Sequence, residues 1–275
     1  MIRTTVLAFT YNRPMQCDLM LKTLKHCVKE YDDLDIKILY RYDEGSYLAH
    51  NKFIEDHPNI DVIKEENFAS DVKRIINGSK SDFIFFITDD TIFTHQFSIK
   101  EIENLFDTDN DLFNFSLRLG ENTQYCYPLN TPQFVPLHED VDIFFWNWKY
   151  GSYDFGYCAE VSSSVFRKSD IEKMINAISF NNPNELEWFM HQSRNSLILR
   201  ERSACYKTSV AFSAPMNKVN NQNKNRVANN LDYSAEKLFE KYLDGYRINP
   251  EPFYGMVSNA AHQEVEFEFV EKEES

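Results

Sequence analysis

The chain has 275 residues, 43% hydrophobic and 15% aromatic, with 29 basic against 43 acidic side chains and a formal net charge of −14. That composition supplies one sizeable core or two small ones and excludes a disordered chain, the last few residues apart. The acidic balance excludes a general nucleic-acid binder, whose affinity rests on neutralising phosphates, so a phosphate-bearing ligand has to be held locally by a metal ion or a few placed cations.

The opening apolar run, Val6 to Phe9, is too short for a signal-peptide core or a membrane span, and no later stretch approaches ~18 apolar residues. The expectation is a cytoplasmic protein with no transmembrane segment. The absence of a basic amphipathic stretch argues against docking on anionic lipid. The five cysteines, Cys17, Cys27, Cys126, Cys158 and Cys205, are scattered and form no C-x-x-C pair. They read as small buried hydrophobes rather than a disulfide framework or a zinc site.

Thr4 to Thr10 reads as a strand that runs into Tyr11-Asn12-Arg13-Pro14. Met15, Leu19, Met20, Leu24, Cys27 and Val28 then repeat at helical spacing. Pro14 suits a first helical turn and Asn12 is placed to cap it. Asp35 to Tyr42 is a second strand, followed by a turn at Asp43 to Ser46 and a helix to about Asp56. A third strand, Ile60 to Lys64, leads past Asn67 into a helix from about Ser70 to Gly78, with Gly78 read as a left-handed terminator. Phe83 to Ile87 is continuously apolar and too short for a helix, which predicts a fourth strand buried on both faces. It ends in two adjacent carboxylates, Asp89 and Asp90.

Strands alternating with helices imply right-handed βαβ crossovers and a parallel sheet with helices on both faces. The first ~95 residues therefore read as half of a doubly wound α/β fold. In such sheets the carboxyl ends of the strands face the ligand crevice. Two carboxylates there suit a divalent cation carrying phosphates, because Mg²⁺ takes one or two carboxylates and fills its other positions with phosphate oxygens and water. The competing reading of Asp89-Asp90 is a polar turn.

Further on, Ser98 to Phe106 reads as a helix, Leu112 to Leu119 as a strand, and Gly120 to His138 as an irregular loop, with three prolines, that crosses the surface near the site. Val141 to Tyr157 is crowded with aromatics, most of them expected in the core and one or two free to stack on a sugar. Asp170 to Phe180 and Asn184 to Gln192 read as helices. Asn217 to Asn230 is polar and Asn-rich, either a surface loop or a segment that orders over a ligand. Ser234 to Leu243 reads as an amphipathic helix, and Glu264 to Val270 as a half-exposed strand with a charged face.

Thr10-Tyr11-Asn12-Arg13-Pro14 at the first strand end and Ile87-Thr88-Asp89-Asp90 at the fourth, with Asp43 after the second and Asn67 to Lys73 after the third, resemble GT-A fold nucleotide-sugar transferases. The similarity is to family 2 glycosyltransferases of bacterial polysaccharide synthesis. Tyr157 to Arg167, Asn182 to Trp188 and Pro215 to Arg226 are similar to later segments of that family. The resemblance implies a GT-A-type, mostly parallel sheet plus a C-terminal acceptor-side region with helices and the late amphipathic strand. Residues 1–95 would be the nucleotide-sugar-binding half and 96–275 the acceptor-binding and catalytic half of one domain. The implied activity is inverting transfer of a sugar from a UDP- or GDP-linked donor to a hydroxyl of a glycan or lipid-linked acceptor. The sequence assigns no oligomeric state.

Residue by residue, the resemblance implies that Thr10, Tyr11 and Arg13 meet the base and ribose, that Asp43 accepts from the base, and that Asn67 or Lys73 contacts base or phosphate. Asp89 would meet the ribose and Asp90 would hold Mg²⁺ or Mn²⁺. The chain departs from the common D-x-D pattern, because Thr88 stands where the first acid would be, so weak, substrate-assisted metal binding is expected. The general base would lie near the start of the helix at Pro183. Glu187 is favoured over Glu185, which sits in the first turn where it also complements the helix dipole. Asp154, Glu160 and Trp148 are candidates for donor or acceptor sugar contacts, and Asn217, Lys218 and Arg226 for the diphosphate. His262 reads either as a third metal ligand or as a structural hydrogen-bonding residue. Two other readings stand beside this one: a nucleotidyltransferase, although Thr10 to Pro14 lacks the expected glycines, and a catalytically silent glycan-binding protein.

Overall fold

A computed structural model describes residues 2–136, 142–216 and 233–272. The first half runs β1 (Thr4–Tyr11), α1 (Pro14–Cys27), β2 (Leu34–Arg41), α2 (Tyr47–Asp56), β3 (Asp61–Lys64) and α3 (Phe68–Gly78). Next come β4 (Phe83–Thr88), β5 (Thr91–Phe93), α4 (Ile99–Thr108), β6 (Leu112–Ser116) and a short hairpin, β7 (Tyr125–Cys126) with β8 (Thr131–Pro132). The second half continues with β9 (Ile143–Asn147), β10 (Ser163–Arg167), α5 (Lys168–Ala177), α6 (Pro183–Leu197), β11 (Arg202–Tyr206) and β12 (Ala211–Ser213). It closes with α7 (Ala235–Leu243), β13 (Tyr246–Ile248) and β14 (Phe269–Glu271).

The main sheet has the order β3-β2-β1-β4-β10-β6-β11-β9. β3, β2, β1 and β4 are mutually parallel, β10 runs against β4 and β6, β11 runs with β6, and β9 runs against β11. The sheet is thus mostly parallel, with β9 and β10 reversed. β1 pairs with both β2 and β4, Thr10 opposite Tyr40 and Phe9 opposite Thr88. Its end therefore lies between the loops that carry Asp43 and Asp89-Asp90.

Alternation along β1 assigns the two faces: Val6 and Ala8 pack with α1, α2, α4 and α7, whereas Leu7 and Phe9 pack with α3, α5 and α6. A strand covered on both faces must be apolar at every position, and Phe83 to Ile87 are all buried. All five cysteines are buried. No helix among the described residues is long and apolar enough to cross a membrane.

Several local expectations are corrected. Asn12 does not cap α1, which starts after Arg13 without a side-chain cap. Asn12 instead adopts φ 54 and turns its amide toward the Asp43 loop. Gly78 ends α3 but is not left-handed, because Ser79 leaves the helix in extended geometry and the positive-φ glycines among the described residues are Gly245 and Gly255. β6 stops at Ser116 rather than Leu119. The loop after it is not wholly irregular, since it folds the β7–β8 hairpin. The late strand is confined to Phe269–Glu271, paired with β13, because Phe267 turns into the core against Tyr233 and Phe253. β9, β10 and β11 carry no clear alternation and escape a periodicity reading.

The C-terminal elements are fastened to α1 and α2 by a buried ionic cluster. Arg247, 1% exposed, pairs with Asp56, lies 3.8 Å from Asp18 and stacks 3.6 Å over the Tyr242 ring. Asp56 also accepts from the Tyr242 hydroxyl at 3.0 Å and from Lys272 Nζ at 2.7 Å. Those donors hold its carboxyl at about 2, against its burial, which acts the other way. A depressed folded value contributes stability that is complete above the unfolded value near 4 and is lost as pH falls toward 2. Removing one partner of a buried cluster strands the others. Arg247→Met is expected to lower the unfolding free energy by about 3 kcal/mol in urea titrations at pH 7, and by less at pH 3, where Asp56 of the unfolded chain is already protonated.

Candidate active site

The ends of β1 and β4 are joined through Asp89. This carboxylate is 5% exposed and accepts from Thr10 Oγ1 at 2.8 Å, Arg13 Nη1 at 3.0 Å and the Tyr11 backbone N–H at 3.4 Å. Burial pushes the carboxyl above its ordinary range, and the guanidinium of Arg13 draws it back. Asp89 is thus committed to protein donors, and its neighbour is not. Asp90 is half-buried, lines the cleft and accepts from Thr88 Oγ1 at 2.7 Å. Thr88, where an acid is common, orients the acid two residues on.

Asp43, exposed at the end of β2, accepts from the Tyr11 hydroxyl and from Asn12 Nδ2, both at 2.9 Å, while its own N–H donates to Asn12 Oδ1 at 3.0 Å. Asn12 Oδ1 also accepts from Ser46 Oγ at 2.9 Å. These bonds tie the loop after β1 to the loop after β2 and need the left-handed backbone that Asn tolerates.

A cleft of about 1160 Å³ opens from this edge toward the second half. Thr10, Tyr11, Arg13, Asp89 and Asp90 line one side, and Arg118, Asp154, Glu160, Glu187 and His262 contribute to the rest. Arg118 is the buried cation of the floor. It donates to Glu160 at 2.9 Å and Ser213 Oγ at 3.0 Å and lies 3.3 Å from His262 Nε2. Glu160 is fully engaged, accepting also from the backbone of Ser162 at 2.5 Å and Ser163 at 3.2 Å and from the Ser164 hydroxyl. Burial, with Arg118 alongside, pushes His262 down to about 3, so its imidazole is neutral and its Nε2 accepts from the arginine.

Glu187 lines the cleft from α6. Burial, reinforced by the negative charge of Glu160, raises it to about 7. The Val161 N–H at 2.9 Å, the positive charge of Arg118 and the Tyr157 hydroxyl oppose the rise. A carboxyl tuned near neutrality can take and return a proton at physiological pH. Glu185, two residues earlier, accepts from Asn181 N at 2.8 Å and Asn181 Nδ2 at 3.0 Å, while the Asn182 side chain accepts from Glu185 N at 2.9 Å. It therefore serves the N-terminus of α6 as the return half of a cap.

Asp43 is outside the cleft lining, and three further candidates lie elsewhere. Asn67 caps α3, accepting from Ser70 N at 3.0 Å. Lys73 sits 5.6 Å over the Phe180 ring, outside the cleft lining. Trp148 is not a sugar platform: it is 1% exposed, packed near Phe113, with Nε1 donating to Arg200 O at 3.1 Å. Its aromatic run inserts it into the core because β9 ends there. Asn217, Lys218 and Arg226 lie outside the described residues. Arg118 and Trp188 also line the cleft, and neither is among the sequence candidates, although a lone charge inside the apolar run from Leu112 to Leu119 is a usable signal; Tyr153, from the aromatic run, lines it too.

Among the described residues no group of three or more His, Cys, Asp and Glu side chains is arranged to hold a metal ion. The donor set at the β4 end is a single available carboxylate, Asp90, since Asp89 is spent on Arg13 and Thr10. That fits a hard divalent ion held chiefly by oxygens of a bound phosphate ligand and water.

A parallel β3-β2-β1-β4 edge with acidic strand ends, completed by a second half of mixed strands around one cleft, is the GT-A arrangement found in nucleotide-sugar-dependent glycosyltransferases. The chain has this fold. It is similar to TarS of S. aureus in complex with UDP-GlcNAc, with a TM-score of 0.54 at 13% identity over 87% of this chain and 66% of that one. It is also similar to TarS in complex with UDP, with a TM-score of 0.52 at 13% identity over 78% and 61%. In sequence it is 23% identical over 209 residues to the bifunctional glycosyltransferase pgtA of Dictyostelium discoideum, covering 66% of this chain and 27% of that protein. The chain thus spans about a quarter of that relative's length. No family model matches it.

The two adjacent acids make opposite demands on stability. Asp89→Asn removes the buried carboxylate that Arg13 donates to at 3.0 Å and is expected to cost about 3 kcal/mol. Asp90→Asn disturbs one half-exposed hydrogen bond and is expected to cost less than about 1 kcal/mol. Urea denaturation of both variants at pH 7 checks the difference.

Proposed function

We propose that the chain is a glycosyltransferase that moves a sugar from a UDP- or GDP-linked donor to a hydroxyl of a glycan or lipid-linked acceptor, with inversion, and that it works in the cytoplasm. The observation that carries this reading is a single cleft lined both by the Asp89-Asp90 strand end and by Glu187, whose carboxyl is raised to about 7.

In this reading the nucleoside lies against Thr10, Tyr11 and Arg13, with Asp43 bracing the loop that receives it. Asp90 would hold a Mg²⁺ or Mn²⁺ ion brought in with the donor, which would supply charge neutralisation at the leaving diphosphate. Asn217, Lys218 and Arg226 are proposed as diphosphate contacts. The acceptor oxygen attacks the anomeric carbon from the face opposite the diphosphate. The C–O bond to the diphosphate breaks with its electron pair, and the acceptor proton passes to Glu187. Arg118 acts through Glu160 and Glu187 as a positioning residue, holding the first and lowering the second.

A thermal-shift series with UDP, GDP and CMP, each with and without Mn²⁺, tests donor binding. At least one nucleotide is expected to raise Tm, and no rise with any of them would sink the reading. Glu187→Gln is expected to keep that rise and lose transfer by about 10² or more, while Glu185→Ala keeps transfer and loses about 1 kcal/mol of stability with its cap.

Because Glu187 must be unprotonated to act as base, kcat/KM is expected to fall as pH drops through about 7. Its raised folded value also predicts the opposite trend in stability. Between the unfolded value near 4 and about 7 the native state holds a proton that the unfolded chain has released, so stability declines as pH rises, and Glu187→Gln flattens that decline.

A further inference from the structure

Between β9 and β10 the segment Gly151-Ser152-Tyr153-Asp154-Phe155-Gly156 forms a closed loop. Its ends touch so closely that a Cβ on Gly151 would lie 2.3 Å from Phe155 O, and one on Gly156 2.5 Å from Gly151 O. Phe155 anchors it: the ring is fully buried and its carbonyl accepts from Trp146 Nε1 at 2.8 Å. Two side chains of the loop line the cleft. Tyr153 keeps its ring 46% exposed while its backbone sits at φ 52, a left-handed conformation that a bulky residue rarely adopts. Asp154 is held by its backbone, which donates to Gln133 Oε1 at 3.2 Å, and by Cys126 Sγ at 3.8 Å from Oδ1. Its Oδ2 is buried and has no hydrogen-bond partner among the described residues.

Neither feature serves the fold. A strained backbone holding an aromatic ring in a cleft costs stability, and so does a buried acceptor without a donor. Both become intelligible if a ligand completes them. The ligand has to present an apolar face to a ring and a hydroxyl to a carboxylate oxygen. A second exposed ring lines the same cleft: Trp188, 52% exposed, follows Glu187 on α6. A pyranose has both properties, with C–H faces for the rings and equatorial hydroxyls for Asp154.

We propose that the Gly151–Gly156 loop, with Trp188, is the seat of the acceptor, and that the acceptor's terminal unit is a pyranose sugar. The assignment to acceptor rather than donor rests on the preceding reading of Glu187 as base. Glu187 precedes Trp188, and Asp154 shares with it the influence of Arg118 and Glu160. The donor edge at Asp89 and Asp90 belongs to other strands.

The test uses the full chain with saturating UDP or GDP and, as probes, the methyl pyranosides of glucose, galactose, mannose and N-acetylglucosamine, with ribitol as a non-cyclic control, followed by saturation-transfer NMR and titration. At least one pyranoside is expected to bind, through its ring protons, and ribitol is not. Tyr153→Ala and Trp188→Ala should each weaken it about tenfold, Asp154→Asn should weaken it comparably, and Tyr153→Phe should retain it. Tyr153→Gly, which suits φ 52, should keep or raise Tm while losing the sugar, and this separates binding from folding. Binding of no pyranoside, equal binding of ribitol, or unchanged binding in both alanine variants would overturn the proposal. The nucleotide thermal shift is read separately in every variant, so its absence counts against the donor reading and not against the loop.

Discussion

The clasp that Asp89 makes with Thr10, Arg13 and the Tyr11 N–H is the contact on which the site depends. It joins the ends of two adjacent parallel strands whose register is already set by the ladder of β1 with β4. Parallel strands leave their carboxyl ends side by side, but nothing in the ladder orders the loops beyond them. A buried carboxylate that spends its oxygens on the neighbouring loop does so. With Asp89 satisfied, Asp90 is left facing the cleft, and Asn12, free of any capping duty, fastens the β2 loop through Asp43.

Five of the carboxylates that line the cleft meet different surroundings. Asp89 is neutralised by Arg13, and Glu160 by Arg118 and three further donors. Asp90 remains half-exposed with one hydroxyl donor. Glu187 is desolvated near Glu160, which raises its carboxyl to about 7, while Asp154 keeps one buried oxygen without a hydrogen-bond partner among the described residues. In the proposed reading, identical chemistry becomes structural ties, a cation ligand, a base and a hydroxyl acceptor, according to how many donors each group meets.

The βαβ half was legible because every element in it carries its own periodicity: continuous apolar residues for β4, helical spacing for α1 and α3. The second half was not. β9, β10 and β11 are short and are not joined by one repeating βα unit, and Ser163 and Ser164 in β10 look polar in sequence although both are buried. Their place is decided by partners far along the chain. The same holds for the aromatic run, where spacing could not separate Trp148, which enters the core, from Tyr153, which faces the cleft.

The sequence by itself determined the local facts: which stretches are strands or helices in the first half, and that two acids end the fourth strand. It also determined that an acid pair opens the helix at Pro183. Only the tertiary structure decided which acid is which. Asp89 was spent on Arg13, Glu185 on Asn181, and Glu187 was brought under the influence of Glu160 and Arg118 from loops far from it in the chain. The reason is physical: the charge state of a carboxyl depends on burial and on donors within a few ångströms, and those neighbours come from positions the chain order does not place together.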